Sequence, residues 1–410
     1  MKNLRKFLIF GACSALSCSL ACGGGSSHSS SSSTSTSSTQ TIAAAGPNVA
    51  SISVNTGPAI SAGFSYANGA FASATVCVPG TSTCQTIGGL LVDTGSFGLR
   101  VLSSVLTVAL PQQKSASGSP VAECLQFLDS YTWGPVQTAD IQIASEKASS
   151  VPIQVLSDTD FTVPSSCTNG LPSADTLASL GANGILGVGL FAQDCGSTCP
   201  ATANMYYECA SGSSCQAISQ GASQQVQNPV ALFATDNNGV IIELPAASGA
   251  EASISGSLVF GIGTQSNNAL GGATVYTADA ATGNFTASFN GQTFSDNSFI
   301  DSGSNGYFFP DSSITQCASN SGASGFYCPS STNNLSATIQ GTNNASASVD
   351  FSIANAVSLF SNSGDAVFDD LGGPAPNYFD WGLPFFYGHN VYTAIEGKGA
   401  PGGTAPYWAY

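Results

Sequence analysis

Positive charge is nearly absent from this chain. Its 410 residues hold 7 Lys and Arg against 23 Asp and Glu, for a formal net charge of −16 at pH 7. Three of those bases, Lys2, Arg5 and Lys6, fall at the very start, so the rest of the chain carries only Arg100, Lys114, Lys147 and Lys398. Nucleic-acid binding is excluded on this ground, because affinity for a phosphate backbone comes from cations that displace condensed counterions. The shortage also bears on acid. As carboxylates protonate, the net charge moves toward a small positive value and like-charge repulsion stays low, which suits a protein that tolerates low pH.

Histidine is almost as scarce, with two residues, His28 and His389. His28 lies in a Ser/Thr/Gly tract and has no expected catalytic role. His389, near the C-terminus, is expected to be a surface or hydrogen-bonded residue. Metal motifs of the HExxH kind are therefore excluded, and a Ser-His-Asp hydrolase would have to use His389 without a GxSxG elbow to present its serine. There is no GxxxxGK[ST] loop and no strand-linked GxGxxG, so nucleotide binding has no support. No metal and no cofactor is expected. Acidic side chains are what is left for polar catalysis.

The residues that are plentiful describe a mostly β protein. Hydrophobic residues make up 42% of the chain, enough for a core. Short runs rich in Val, Ile, Thr and Phe, broken by Gly, Asn and Ser, read as strands and turns. The length favours two packed lobes over one average domain.

The start reads as targeting sequence. Lys2, Arg5 and Lys6 precede an apolar stretch, Phe7 to Ala21, too short to span a bilayer comfortably. Leu20 and Ala21 then precede Cys22, which three glycines follow. This resembles a bacterial lipoprotein signal (residues 1–21) whose Cys22 thiol is acylated; Ser19 stands where such a signal usually has Leu. Residues 22–47 form a lipidated, disordered Ser/Gly-rich tether, with a mean reach of roughly 25–30 Å for about 25 flexible residues. The implied setting is the bacterial cell envelope, through a lipid anchor in the outer membrane.

The cysteines agree with export. Beyond Cys22 there are ten: Cys77, Cys84, Cys124, Cys167, Cys195, Cys199, Cys209, Cys215, Cys317 and Cys328. Cys77–Cys84 and Cys317–Cys328 would close short loops, the four from Cys195 to Cys215 would pair among themselves, and Cys124 and Cys167 would pair with each other. Zinc in the four-cysteine cluster is the rival reading, and oxidising export favours disulfides.

Two acidic turns share one grammar. "GGLLVDTGSFGLR" runs an apolar strand into Asp93, and "NSFIDSGSNGYFF" does the same into Asp301. An aspartate at the end of a buried strand costs free energy unless it is hydrogen-bonded or used. In each turn a hydroxyl follows the carboxylate (Thr94, Ser302), a glycine lets the backbone fold tightly (Gly95, Gly303), and a second hydroxyl is within range (Ser96, Ser304). If the two turns met, one carboxyl would keep a proton, because adjacent like charges cannot both ionise cheaply. Such a pair could polarise a water, one carboxylate acting as base and the other as donor.

At this point the sequence resembles the pepsin-like aspartic peptidases. "VDTGSFGLRV" resembles the first catalytic turn of that family and "FIDSGSNGYFF" the second. "NGILGVGL" resembles the element that backs the first turn, and "FDWGLPFFYGHNVYTAIEG" with "GTAPYWAY" the closing segment that backs the second. "NPVALFATDNNGVIIELP" and "GSLVFGIGTQSNNALGGATVY" are similar to the end of its N-terminal lobe. These landmarks follow the family order over most of residues 48–410. The chain also resembles an uncharacterised group of bacterial lipoproteins, which implies little about activity.

The resemblance implies a bilobal fold with a cleft between two β-rich lobes, the N-terminal one (48–264) carrying Asp93 and a Cys-rich insertion, the C-terminal one (265–410) carrying Asp301. Asp93 and Asp301 would be the catalytic pair, supported by Thr94, Gly95, Ser96, Ser302, Gly303 and Ser304. A peptide or protein substrate would bind extended in the interlobe cleft of a monomer. Departures are as informative. The hairpin expected over the cleft, "CLQFLDSYTWGPVQTADIQI", lacks the family's Tyr-Gly tip; Phe127 or Leu128 falls nearest that Tyr. Tyr131 and Trp133 either serve the cleft or pack onto the lobe. Arg100 replaces the usual Trp after the first turn, either as a salt-bridge partner or as a cleft residue that would depress a carboxylate pKa. The second backing element, "DWGLP", lacks the expected paired aliphatics. The tether runs almost directly into the first strand, so zymogen control by a propeptide is not expected. The leading expectation is an exported lipoprotein endopeptidase. The alternatives are a pepsin-like binding or inhibitor-type module without catalysis and an adhesin-like surface lipoprotein.

Overall fold

Two strands, Cys84–Asp93 and Gln292–Ile300, each run out of a β-sheet directly into an acidic turn. They belong to a computed structural model that describes residues 40–410 except 60–64, 158–160, 204 and 211–213. The signal segment 1–21, the lipidation candidate Cys22 and the tether up to residue 39 lie outside the described residues. The fold is mostly β, as the composition predicts, and the described α-helices are single turns such as Leu177–Leu180. Period-two burial marks the strands. In Tyr131–Ile143 the side chains of Ala139, Ile141 and Ile143 are buried, while Asp140 and Gln142 between them are half-exposed.

The first acidic strand has a neighbour that explains its apolar end. Cys84–Asp93 pairs in parallel with Gly184–Val188, in the register Val92 to Leu186 and Asp93 to Gly187. The outgoing strand Phe97–Leu102 pairs antiparallel with the other edge of Gly184–Val188. The chain thus enters the turn on one side of a short buried strand and leaves on the other. The second turn repeats this plan. Gln292–Ile300 pairs in parallel with Phe379–Trp381, and Tyr307–Phe309 pairs antiparallel with the opposite edge.

The first turn lies in a fifteen-stranded sheet and the second in a seven-stranded one. The sheets do not divide at residue 264. Gly239–Glu243 pairs with Asn390–Ala394, and Val275–Thr277 and Tyr407–Ala409 extend the same large sheet. The end of the chain therefore closes the sheet begun by its first half. The smaller sheet packs on aromatic rings. Phe379 stacks on Trp381 at 4.3 Å and on Phe309 at 5.1 Å between centroids, and all three are fully buried. Each such side chain contributes on the order of 1.5–3 kcal/mol of burial.

Five disulfides form: Cys77–Cys84, Cys124–Cys167 and Cys317–Cys328 as expected, and, within the four cysteines whose pairing the sequence left open, Cys195–Cys199 and Cys209–Cys215. The four-cysteine cluster is consumed by two of them, which leaves no thiolate there for zinc. Residues 40–47, assigned from sequence to the tether, lie against the body instead. The Gln40 side-chain amide donates to the carbonyls of Leu244 and His389, both at 2.8 Å, and the Ala43 N–H donates to Glu243 Oε2 at 2.6 Å. His389 is hydrogen-bonded, its Nδ1 lying 2.7 Å from the Phe385 carbonyl. Among the described residues, no helix is long and apolar enough to cross a membrane.

Candidate active site

Asp93 and Asp301 are gripped by matching donors. Gly95 N–H donates to Asp93 Oδ1 at 2.8 Å and Ser96 Oγ donates to Oδ2 at 2.6 Å. Gly303 N–H donates to Asp301 Oδ1 at 2.8 Å and Ser304 Oγ donates to Oδ2, also at 2.8 Å. A tight turn after each carboxylate is what aims these groups back at it. Both carboxyls are almost fully buried, with 2% and 1% of the residue exposed.

The turns are tied to each other by the residues after the acids. Thr94 Oγ1 donates to the Ile300 carbonyl at 3.2 Å and accepts from Ser302 N–H at 2.9 Å. Ser302 Oγ donates to the Val92 carbonyl at 2.8 Å and accepts from Thr94 N–H at 3.1 Å. Each hydroxyl so satisfies a buried backbone group of the other turn, and no apolar residue could do both. The lock brings the carboxyls together. A Cβ placed on Gly95 would lie 2.7 Å from Asp301 Oδ1, and one on Gly303 would lie 2.7 Å from Asp93 Oδ1. Glycine is required at both positions because a carboxylate occupies the space.

The two carboxyls face each other across the paired turns, close enough to share one proton. Burial and then the Asp93 charge hold Asp301 well above the ordinary carboxylate range. Burial also raises Asp93, but Ser96, Asp301, the Gly95 N–H and the Arg100 charge pull the other way. One proton per pair is the state this arrangement favours. The backing strand of the second turn contributes through Trp381, whose carbonyl accepts from Asp301 N–H at 3.0 Å. An aromatic here replaces the aliphatic pair expected from the resemblance.

Sequence reasoning missed Tyr66. It is 2% exposed, and its phenol is pushed up by burial and then by the charges of Asp93, Asp301 and Asp129. Its ring meets Phe71 edge-on at 5.6 Å. Two residues on, Asn68 pins this segment across to the second turn. Its side-chain amide donates to the carbonyls of Asn305 at 2.9 Å and Phe368 at 2.8 Å, and its Oδ1 accepts from Phe368 N–H and Tyr387 OH. Asn68 has φ +53°, a left-handed conformation that asparagine tolerates better than most residues. The Tyr-x-Asn-Gly run ahead of the first long strand was the available signal.

The hairpin residues divide. Phe127 is buried in the same apolar cluster as Tyr66, and Leu128 at the tip is 36% exposed. Asp129 beside them is close enough to act electrostatically on Tyr66 and Tyr378. Tyr131 and Trp133 take the other of their two expected roles. They pack with the Cys124–Cys167 disulfide, and Trp133 Nε1 donates to the Phe161 carbonyl at 3.1 Å while its ring meets Tyr207 edge-on at 5.3 Å. A strand residue points to one face only, and theirs is the packed one.

Arg100 is a buried salt-bridge partner. Its Nη2 donates to Glu123 Oε1 at 2.7 Å and to Asp194 Oδ2 at 3.1 Å, and its Nη1 to the Phe97 carbonyl at 2.8 Å. Tyr206 OH donates to Asp194 and accepts from Val226 N–H at 2.7 Å. Burial, followed by the neighbouring Glu123, holds Asp194 well above the ordinary carboxylate range.

Residues 44–410 match the family model described as "Protein of unknown function (DUF3443)". No curated protein matches the chain.

Proposed function

The chain belongs to the DUF3443 family over residues 44–410, and on that premise we propose that it is an aspartic endopeptidase of pepsin-like, bilobal fold. The observation that carries this reading is the mutual approach of Asp93 and Asp301, each oriented by one backbone N–H and one hydroxyl. The repeated strand-turn-strand plan around a short backing strand supports the bilobal arrangement.

The chemistry follows from one shared proton. The ionised carboxylate takes a proton from a water as the water oxygen bonds to the carbonyl carbon of a peptide. The protonated carboxyl gives its proton to the carbonyl oxygen, so a neutral diol forms with the pair still holding one proton. In collapse, one carboxylate takes a diol proton while the other carboxyl protonates the leaving nitrogen, and the C–N bond breaks to acid and amine. The substrate is an extended peptide segment. The protein acts as a monomer at the bacterial cell envelope, anchored through acylated Cys22.

A second reading, a module of the same fold that binds without cutting, is favoured by the near-complete burial of both carboxyls together with Tyr66. The two are separated by incubating the protein with an unfolded protein between pH 3 and 7 and reading fragments by mass spectrometry. The peptidase reading expects internal cleavages that Asp93→Asn and Asp301→Asn each abolish. Absence of fragments at every pH, or equal cleavage by the variants, overturns it.

A further inference from the structure

A groove of about 560 Å³ opens on the large sheet where the strands Val49–Val54 and Ala70–Cys77 diverge. The two are paired only at Ser53–Phe71 and Val54–Ala70. From Thr75 onward the second strand is taken up by Tyr131–Ile143 instead. Missing side chains make the room. Gly88 and Gly89 of Cys84–Asp93 stand against Ser73 alone, a bulge in which Gly89 takes φ +67°. Gly89, Gly57 and Gly256 all line the groove, and Pro58 and Phe71 supply its apolar wall.

Its polar groups are hydroxyls. Ser51, Ser73 and Ser255 are exposed, and among the described residues their side chains bond to no protein group. Ser53 Oγ accepts from Asn55 Nδ2 at 3.1 Å, which leaves its own hydrogen to donate, and Asn55 Oδ1 is held by the Gly57 N–H at 2.8 Å. Ser53 and Ser255 are direct cross-strand partners on one face, with Cβ atoms about 5 Å apart. None of the described residues that line the groove is titratable, in a chain of net charge −16.

We propose that this groove binds a neutral saccharide of one or two rings. The class follows by elimination. An anion would find no cation in the lining and a cation no carboxylate. A wholly apolar ligand would cover the serine hydroxyls and leave them unpaired. An extended peptide needs a free strand edge, and the stretch of Ala70–Cys77 left between its two partners, Ala72 to Ala74, is too short for one to add. What fits is a ligand that carries hydroxyls able to donate and accept, together with C–H faces that pack on Pro58 and Phe71. That is the surface of a sugar ring, and the volume lies within the range of small-ligand sites, roughly 300–1,000 Å³. The proposal goes beyond the peptidase reading and does not rest on it.

The test records ¹H–¹⁵N amide spectra of the labelled protein with maltose, cellobiose or N,N′-diacetylchitobiose, each at about 10 mM. Shifts are expected at Ser51, Ser53, Ser73, Gly89 and Ser255 with at least one of the three. Glucuronate, glucosamine and a neutral Ser-Ala tetrapeptide are expected to leave those signals in place. Ser255→Leu, and separately Ser73→Leu, fill the groove from exposed positions and are expected to abolish the shifts, with a melting temperature near that of the wild type. Ser51→Ala is expected to weaken binding about 5–10-fold, the effect of one lost hydrogen bond. Any cleavage of peptides is expected to be unchanged in Ser255→Leu, so the two readings fail separately. No shift with any of the three disaccharides, equal shifts in a folded Ser255→Leu or Ser73→Leu, or a response to the peptide or the charged sugars in their place overturns the proposal.

Discussion

Thr94 and Ser302, 208 residues apart, exchange hydrogen bonds reciprocally: each backbone N–H donates to the hydroxyl of the other, at 3.1 and 2.9 Å. This exchange fixes the distance between the two acidic turns. Replacing Thr94 by Val keeps the shape but leaves the Ser302 N–H and the Ile300 carbonyl unpaired in a buried place. The expected loss is about 1–3 kcal/mol in urea unfolding, with Thr94→Ser recovering most of it. Equal stability of Thr94→Val and the wild type would contradict the lock.

Gly95 and Gly303 are predicted to tolerate no side chain. A methyl at either place overlaps the opposite carboxyl, so Gly95→Ala and Gly303→Ala should push the acids apart. Strain of about 1–3 kcal/mol in thermal unfolding is expected, with loss of any cleavage.

Stability should fall as pH rises. Burial and Asp93 raise Asp301, burial and Glu123 raise Asp194, and burial with Asp369 pushes Asp370 up to about 6. Because these groups bind protons more tightly folded than unfolded, their contribution is full below the ordinary value of 3.8 and is lost as pH climbs through the folded values. For Asp279 burial is outweighed by the N–H groups of Ala281 and Thr282, so its sign is opposite, but it is only half-buried and solvent screens it. The melting temperature is expected to be highest near pH 4 and to decline toward pH 8, with Asp194→Asn flattening the decline. A melting temperature that rises over this range would contradict the assignment.

The Cys124–Cys167 disulfide closes a loop with sequence separation 43 and binds the hairpin to the segment that carries Cys167. Replacing both cysteines by Ser should cost about 2–4 kcal/mol, read by denaturant unfolding. The near-UV circular dichroism of Trp133, which packs on this bridge, should weaken with it.

What could be read from the sequence was local. The two turns were legible because strand end, acid, hydroxyl, glycine and hydroxyl are consecutive; three of the disulfides followed from spacing and elimination, while the pairing within Cys195, Cys199, Cys209 and Cys215 needed the fold. The roles of Tyr131 and Trp133 stayed open because one residue of register decides which face of a strand a side chain takes. Arg100 had many possible acidic partners, and only folding brings Glu123 and Asp194 to it. For Tyr66 the Tyr-x-Asn-Gly run was the one local signal, and it says nothing of the acids, because Asn68 pins the segment through residues more than two hundred positions away. Long-range pairing likewise hid the return of Asn390–Ala394 to the edge of Gly239–Glu243.

The most direct test is the rate at which the purified protein cuts a quenched-fluorescence peptide mixture between pH 3 and 7, beside its Asp93→Asn and Asp301→Asn forms. A paired-acid hydrolase predicts cleavage by the wild type and a fall of about 10³-fold or more in each variant, since neither carboxyl can act alone. Folded wild-type protein that cuts nothing over this range, or variants that cut as fast as it does, would contradict the account.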